Sequence, residues 1–139
     1  MPDFKFWTYE SARRYVRAKD YPERAMEAIK EMYRQVGVLK FGRDGLAKRG
    51  VLVRHLVMPG QAEEIAAICG WLANELSPDT YINLMGQYRP EFQVGAPGKG
   101  STVQYVEINR RPSDQEIAQA NAVARKAGLW RFDERRARA

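Results

Sequence analysis

The order of apolar patterns along this 139-residue chain predicts an α/β fold built of parallel βα units. Three observations carry that prediction. The run Val51–Met58 (VLVRHLVM) is apolar on both faces of a strand and is bounded by Gly50 and Pro59-Gly60, as a strand inside a parallel sheet would be. A second run rich in β-formers, Thr80–Met85 (TYINLM), follows it after a helical stretch. Helical patterns with their own start and stop signals separate and flank the two runs. Alternation of this kind builds either a doubly wound sheet or a β/α barrel, and spacing alone leaves both open.

The elements follow in order. Pro2–Trp7 (PDFKFW) has the length of a strand tip, and Glu10–Ala18 has the pattern of a short helix. Asp20 as N-cap and Pro22 in the first turn open a second helix, which Gly37 ends. Within it Ala25, Ile29, Met32 and Val36 recur at helical spacing and make one apolar stripe. Between Val38 and Lys48, the triplet Arg43-Asp44-Gly45 marks a small hairpin. After Val51–Met58, a helix over Ala62–Leu76 turns Ile65, Ile68, Cys69 and Leu72 inward.

Residues 86–103 hold two prolines and four glycines and form a long loop, a feature that in a small domain is usually functional. Ser113-Asp114-Gln115-Glu116 is a capping box for a helix that reaches Ala127, where Gly128 stops it. Leu129–Phe132 is a last strand, and residues 133–139 are a frayed basic tail. No internal repeat or linker divides the chain, so residues 1–139 are read as a single unit.

Composition narrows the function classes. An apolar content of 45% argues against disorder. No apolar run approaches the ~20 residues a membrane helix needs, so no membrane partner and a cytoplasmic location are expected. A lone cysteine, Cys69, rules out an intrachain disulfide, and on its helical stripe it is expected to be a small buried thiol. The net charge of +6 brings nucleic acid into consideration. The excess gathers near Arg13–Lys19 and in the tail, without the interleaved aromatics of a stacking platform, so nucleic acid is the least favoured partner.

In parallel β/α folds, ligands meet the C-terminal ends of the strands. Asp3 and Lys5, two apart and so on one face, lie at the first strand tip. Arg54 lies inside Val51–Met58 and shares a face with Leu52, Leu56 and Met58, whereas His55, the only histidine, faces the other way towards a covering helix. Gln87, Tyr88 and Arg89 follow Thr80–Met85. An arginine inside a buried strand needs a carboxylate partner or an anionic ligand. Two readings fit: a polar ring for an amino-acid-like ligand, or an ion-pair network of Asp3, Lys5 and Arg54 joining neighbouring strands. GAPGKG (Gly95–Gly100) lacks the spacing of a phosphate loop, and no GxSxG, HExxH or cysteine pair is present.

The segments PDFKFW, AIKEMYRQVG, RGVLVRHLVMPG, DTYINLMGQYRP and EINRRPSDQE resemble, in this order, the C-terminal half of a radical S-adenosylmethionine protein. The branch they resemble is that of pyruvate formate-lyase activating enzymes. The resemblance implies a partial β/α barrel, here a half barrel with the hairpin as an insertion. It also implies a [4Fe-4S] cluster held by CxxxCxxC, whose open iron binds S-adenosylmethionine for reductive cleavage to a 5′-deoxyadenosyl radical. By resemblance, Asp3 and Lys5 match a D-x-K lining the cofactor site. Arg54 matches an arginine that contacts S-adenosylmethionine, Leu56 the residue beside it, and Gln87 or Tyr88 a position often filled by histidine.

CxxxCxxC is absent here, and by the same resemblance the cluster-binding half lies upstream. The resemblance therefore implies that this chain by itself is inactive and holds neither group. Its partners would be a complementary N-terminal half, or a second copy met through exposed strand edges. A glycyl-radical protein would be the partner of the parent activity. The alternative is a non-enzymatic interaction module that uses the exposed barrel edge.

Overall fold

The computed structural model describes residues 1–134. At its centre is a parallel three-stranded sheet in the order β3 (Leu52–Leu56), β4 (Tyr81–Met85), β5 (Arg131–Phe132), with β1 (Lys40–Phe41) and β2 (Ala47–Arg49) forming a separate antiparallel hairpin. The expected strand tip runs parallel to β3 on its free side. Phe4 N–H donates to Arg54 O and Arg54 N–H to Pro2 O, each at 2.9 Å. In the hairpin, Asp44 Oδ1 accepts the Leu46 N–H at 3.1 Å, and Gly45 takes the positive φ that the turn requires.

Among the described residues, four α-helices accompany the sheet: α1 (Tyr9–Val16), α2 (Tyr21–Val36), α3 (Ala62–Trp71) and α4 (Asp114–Lys126). The Thr8 hydroxyl caps α1 by accepting the Ser11 N–H, and the capping box of α4 is complete between Ser113 and Glu116. The expected single helix from Ala62 to Leu76 is instead α3 followed by a widened π-type turn over Leu72–Leu76. Pro78 keeps Ser77 extended, so the helix must stop there, and the Ser77 N–H reaches back to Leu72 O at 3.0 Å. Of the expected basic tail, Asp133 stays tied to the sheet through its N–H on Ile82 O, and residues 135–139 lie outside the described residues.

The helices cover one side of the sheet. Ile29 of α2, Ile65 and Ile68 of α3 and Ala124 of α4 share one core with Val53 and Ile82 of the sheet and with Val57 just past β3. The pleat of β3 shows the asymmetry, since Val53 and His55 are buried while Leu52, Arg54 and Leu56 are only half-buried. A smaller cluster of Phe6, Ala12, Met58 and Ile108 sits beyond the C-terminal end of β3, flanked by Leu56 and Tyr88. Among the described residues, no helix is long and apolar enough to cross a membrane.

Candidate functional site

The half-open face carries a polar row across the sheet. Asp3 bridges Arg54, and Arg54 stands in register with Asn83 on β4. The next pair in the register, Ile82 with Phe132, leads on to Asp133, so acid, guanidinium, amide and acid succeed one another. Asp3 Oδ1 accepts from Arg54 Nε at 2.6 Å, and Asp3 Oδ2 lies 3.4 Å from Lys5 Nζ. The ion-pair network expected between these three residues is present, but it is not dry: the Arg54 side chain keeps 35% of its exposure. Among the described residues, Asp3 engages Arg54 through Nε.

These groups open into a cavity of about 420 Å³ at the C-terminal ends of the strands. Its walls include Asp3, Lys5, Arg54, Leu56, Gln87 and Tyr88, the residues singled out in the sequence, together with Met85 and Arg89. Three cations face one carboxylate there, and Arg89 has its own partner in Glu91 at 2.8 Å. The cavity therefore suits a ligand that brings an anion. Gln87 is exposed, whereas Tyr88 donates its hydroxyl to Ile108 O at 2.9 Å and also lines the neighbouring cleft.

Three residues that shape the site were not singled out in the sequence. Asn83 stands beside Arg54, and its signal was an amide in the middle of an apolar strand. Tyr21 closes the outer edge of Pro2–Lys5 by accepting the Lys5 N–H at 2.9 Å and donating to Asp3 O at 3.3 Å. It takes the two groups that a further strand would take. Glu64 is buried and accepts the Trp7 and Thr8 N–H groups and the Thr8 hydroxyl, anchoring the start of α1 to α3. Its signal was a carboxylate four residues before Ile68 on the inward stripe.

His55 is fully buried behind the row. Its Nδ1 lies 2.7 Å from Phe4 O, which can only accept, so Nδ1 carries the proton and the buried Nε2 has no partner. Burial pushes its pKa below the usual imidazole value, and the Phe4 carbonyl and the Glu64 charge offset this only in part.

An iron–sulfur cluster does not fit the residues of this chain. Cys69 sits in the core of α3, where burial pushes its thiol up to about 12, the reverse of what a thiolate ligand needs. Among the described residues, no group of three or more His, Cys, Asp and Glu side chains is placed to hold a metal ion. The cavity brings the Arg54 and Lys5 cations, the Asp3 carboxylate and the Gln87 amide to one place.

No family model matches the chain, and no solved structure does. Among curated proteins it is similar to an uncharacterized protein of Methanocaldococcus jannaschii, 28% identical over 130 residues. The match takes in 93% of this chain and 32% of the relative, so the chain spans about a third of the length of the curated protein it resembles.

Proposed function

We propose that this chain is the C-terminal half of a radical S-adenosylmethionine-type β/α barrel and supplies the amino-acid-binding side of the cofactor site. The observation that carries the reading is the convergence of Asp3, Lys5, Arg54, Leu56, Gln87 and Tyr88, drawn from three separate segments, on one cavity at the strand ends. The one-sided helical cover supports a barrel-type sheet over a doubly wound one, which would need helices on both faces.

In this reading Arg54 binds the ligand carboxylate, Asp3 holds Arg54 in place and meets the ammonium, and Leu56 shields the contact from water. S-adenosylmethionine, when bound, supplies a sulfonium whose carbon–sulfur bond is broken by an electron from a cluster that another part of the protein, or a partner chain, must carry. Pairing of such a partner at the Pro2–Lys5 edge would require the Tyr21 hydroxyl to give way.

The test is a titration of the isotope-labelled chain followed by amide NMR. With half of the contacts present, S-adenosylmethionine is expected to bind with a Kd on the order of 1 mM, about 4 kcal/mol. It should move the resonances of Asp3, Arg54 and Gln87, whereas 5′-methylthioadenosine, which has no carboxylate, should leave them in place. Equal shifts from both compounds, or none from either, would refute the reading. The reading frame upstream of Met1 bears on the wider proposal, because an in-frame CxxxCxxC is expected there.

A further inference from the structure

A second cleft of about 590 Å³ adjoins the polar cavity and shares Lys5 and Tyr88 with it. Its wall is aromatic: Phe6 stacks on Tyr15 with centroids 5.4 Å apart, and Tyr15 meets Tyr105 at 6.0 Å. Met58, Val94 and Ile108 complete the apolar lining. Two of the cleft's tyrosine hydroxyls are committed to protein partners. Tyr15 donates to Glu107 at 2.8 Å, and Tyr88 to Ile108 O. Burial and the hydrogen bond to Glu107 push the Tyr15 phenol up to about 12, so Tyr15 is uncharged near neutrality.

The wall is also held in place. Glu107 accepts Arg14 Nε at 2.6 Å, and the Arg14 guanidinium lies 5.4 Å from the Tyr105 ring centroid and 5.7 Å from that of Tyr15. Backbone strain concentrates here. Arg17, Phe92 and Tyr105 are the non-glycine residues with positive φ among the described residues, and all three line this cleft. Strained backbone of this kind persists where the surroundings enforce it, and it collects at ligand sites.

Charge selects the ligand. Lys5 Nζ shares a single carboxylate, Asp3, with Arg54, and stands 3.4 Å from it. Arg17 reaches only a neutral oxygen, Gln93 Oε1, at 3.5 Å. The one acid in the lining, Glu91, is taken by Arg89. The cleft thus offers flat apolar walls with two under-compensated cations at its rim.

The geometry points to a binding site for a small aromatic carboxylate, with its ring against Phe6, Tyr15 and Tyr105 and its carboxylate on Arg17 and Lys5. The site needs no cofactor, so it stands or falls apart from the radical-type reading.

The test is an amide NMR titration of the full chain with indole-3-acetate and, as its cationic counterpart, tryptamine. Indole-3-acetate should give saturable shifts at Val16, Tyr88, Val94 and Tyr105, and should bind about tenfold more tightly than tryptamine. Arg17→Asn removes the cation while keeping a residue that tolerates the left-handed backbone, and it should remove most of that preference. Tyr105→Asn, chosen for the same tolerance, should weaken both ligands alike. Four results would each overturn the assignment: equal affinity for the two ligands, shifts confined to other surfaces, no saturation by about 10 mM, or an unchanged preference in Arg17→Asn.

Discussion

Acidification from about pH 7.5 to pH 5 should destabilise this protein through one residue, His55. The imidazole is buried, its Nδ1–H is spent on Phe4 O, and Nε2 faces no acceptor. A proton on Nε2 would be an unpaired charge in the core, and burial lowers the pKa accordingly. In the unfolded chain the same group titrates near 6.5. Below that pH the unfolded state binds a proton that the folded state refuses, so the stability fully present above 6.5 falls as pH drops.

The slope for one proton is about 1.4 kcal/mol per pH unit, and the loss reaches at most about 2 kcal/mol by pH 5. That is a measurable share of a typical stability of about 5–15 kcal/mol. The carboxylates that ion pairs hold low, Glu31 and Glu107 at about 2 among them, lose their contribution only as pH falls through the ordinary carboxylate range. The interval from 6.5 to 5 therefore belongs to the histidine.

Urea unfolding followed by the fluorescence of the three tryptophans measures the effect across that interval. His55→Asn keeps an N–H donor near the Nδ1 position and removes the titration. It should be less stable at every pH, by about 1–3 kcal/mol for the volume lost, but flat between pH 6.5 and 5. A flat wild-type profile, or the same slope in His55→Asn, would refute the dry neutral imidazole.

Other perturbations test separate parts of the structure. Glu64→Ala strips the buried acceptor from the start of α1 and should cost about 1–3 kcal/mol in chemical denaturation, with Glu64→Gln recovering part of it. Tyr21→Phe frees Lys5 N–H and Asp3 O, and should both lower stability by about 1–2 kcal/mol and promote self-association in sedimentation velocity. An unchanged monomer fraction would show that the tyrosine does not guard that edge. Gly50→Ala should cost about 3 kcal/mol or more, because Gly50 has φ +124° and an added Cβ would run into the backbone of Val38 and Leu39.

Local chemistry made much of the fold legible. The capping box at Ser113 and the Asp44-Gly45 turn are each written within a few residues and form close to their expected bounds. The double-sided run Val51–Met58 instead forms a strand over Leu52–Leu56 that is fully buried on one face only, because helices cover that face alone. The polar cavity was legible for a related reason: strand pleat and strand ends fix where Asp3, Lys5, Arg54 and Gln87 must point. The second cleft was not. Tyr15, Tyr88 and Tyr105 come from a helix, a strand end and a loop, and no period in the sequence links them. Tyr21 escaped notice because it acts on backbone groups far away in sequence, and a side chain that replaces a missing strand leaves no local pattern. Glu64 showed only as a carboxylate on an inward stripe, with nothing local to name the helix it anchors.

The adjacent pair Arg54 and His55 shows how one strand sustains two opposite environments. Their side chains leave β3 on opposite faces, one towards the half-open row and the other into the helical core. The Arg54 guanidinium is paired by Asp3 from the next line of the sheet, and its side chain keeps 35% of its exposure. His55 has no such neighbour within hydrogen-bonding reach of Nε2 and so stays neutral. The Asp3–Phe4 segment serves both, with the Asp3 carboxylate meeting the guanidinium and the Phe4 carbonyl meeting the imidazole. A one-residue slip of that segment would exchange the two partners' faces, leaving an unpaired cation over the sheet and an aspartate against the core. The register of a single parallel bridge is therefore fixed by charge on one side and by a lone hydrogen bond on the other, and this alignment sets the anionic edge of the cavity.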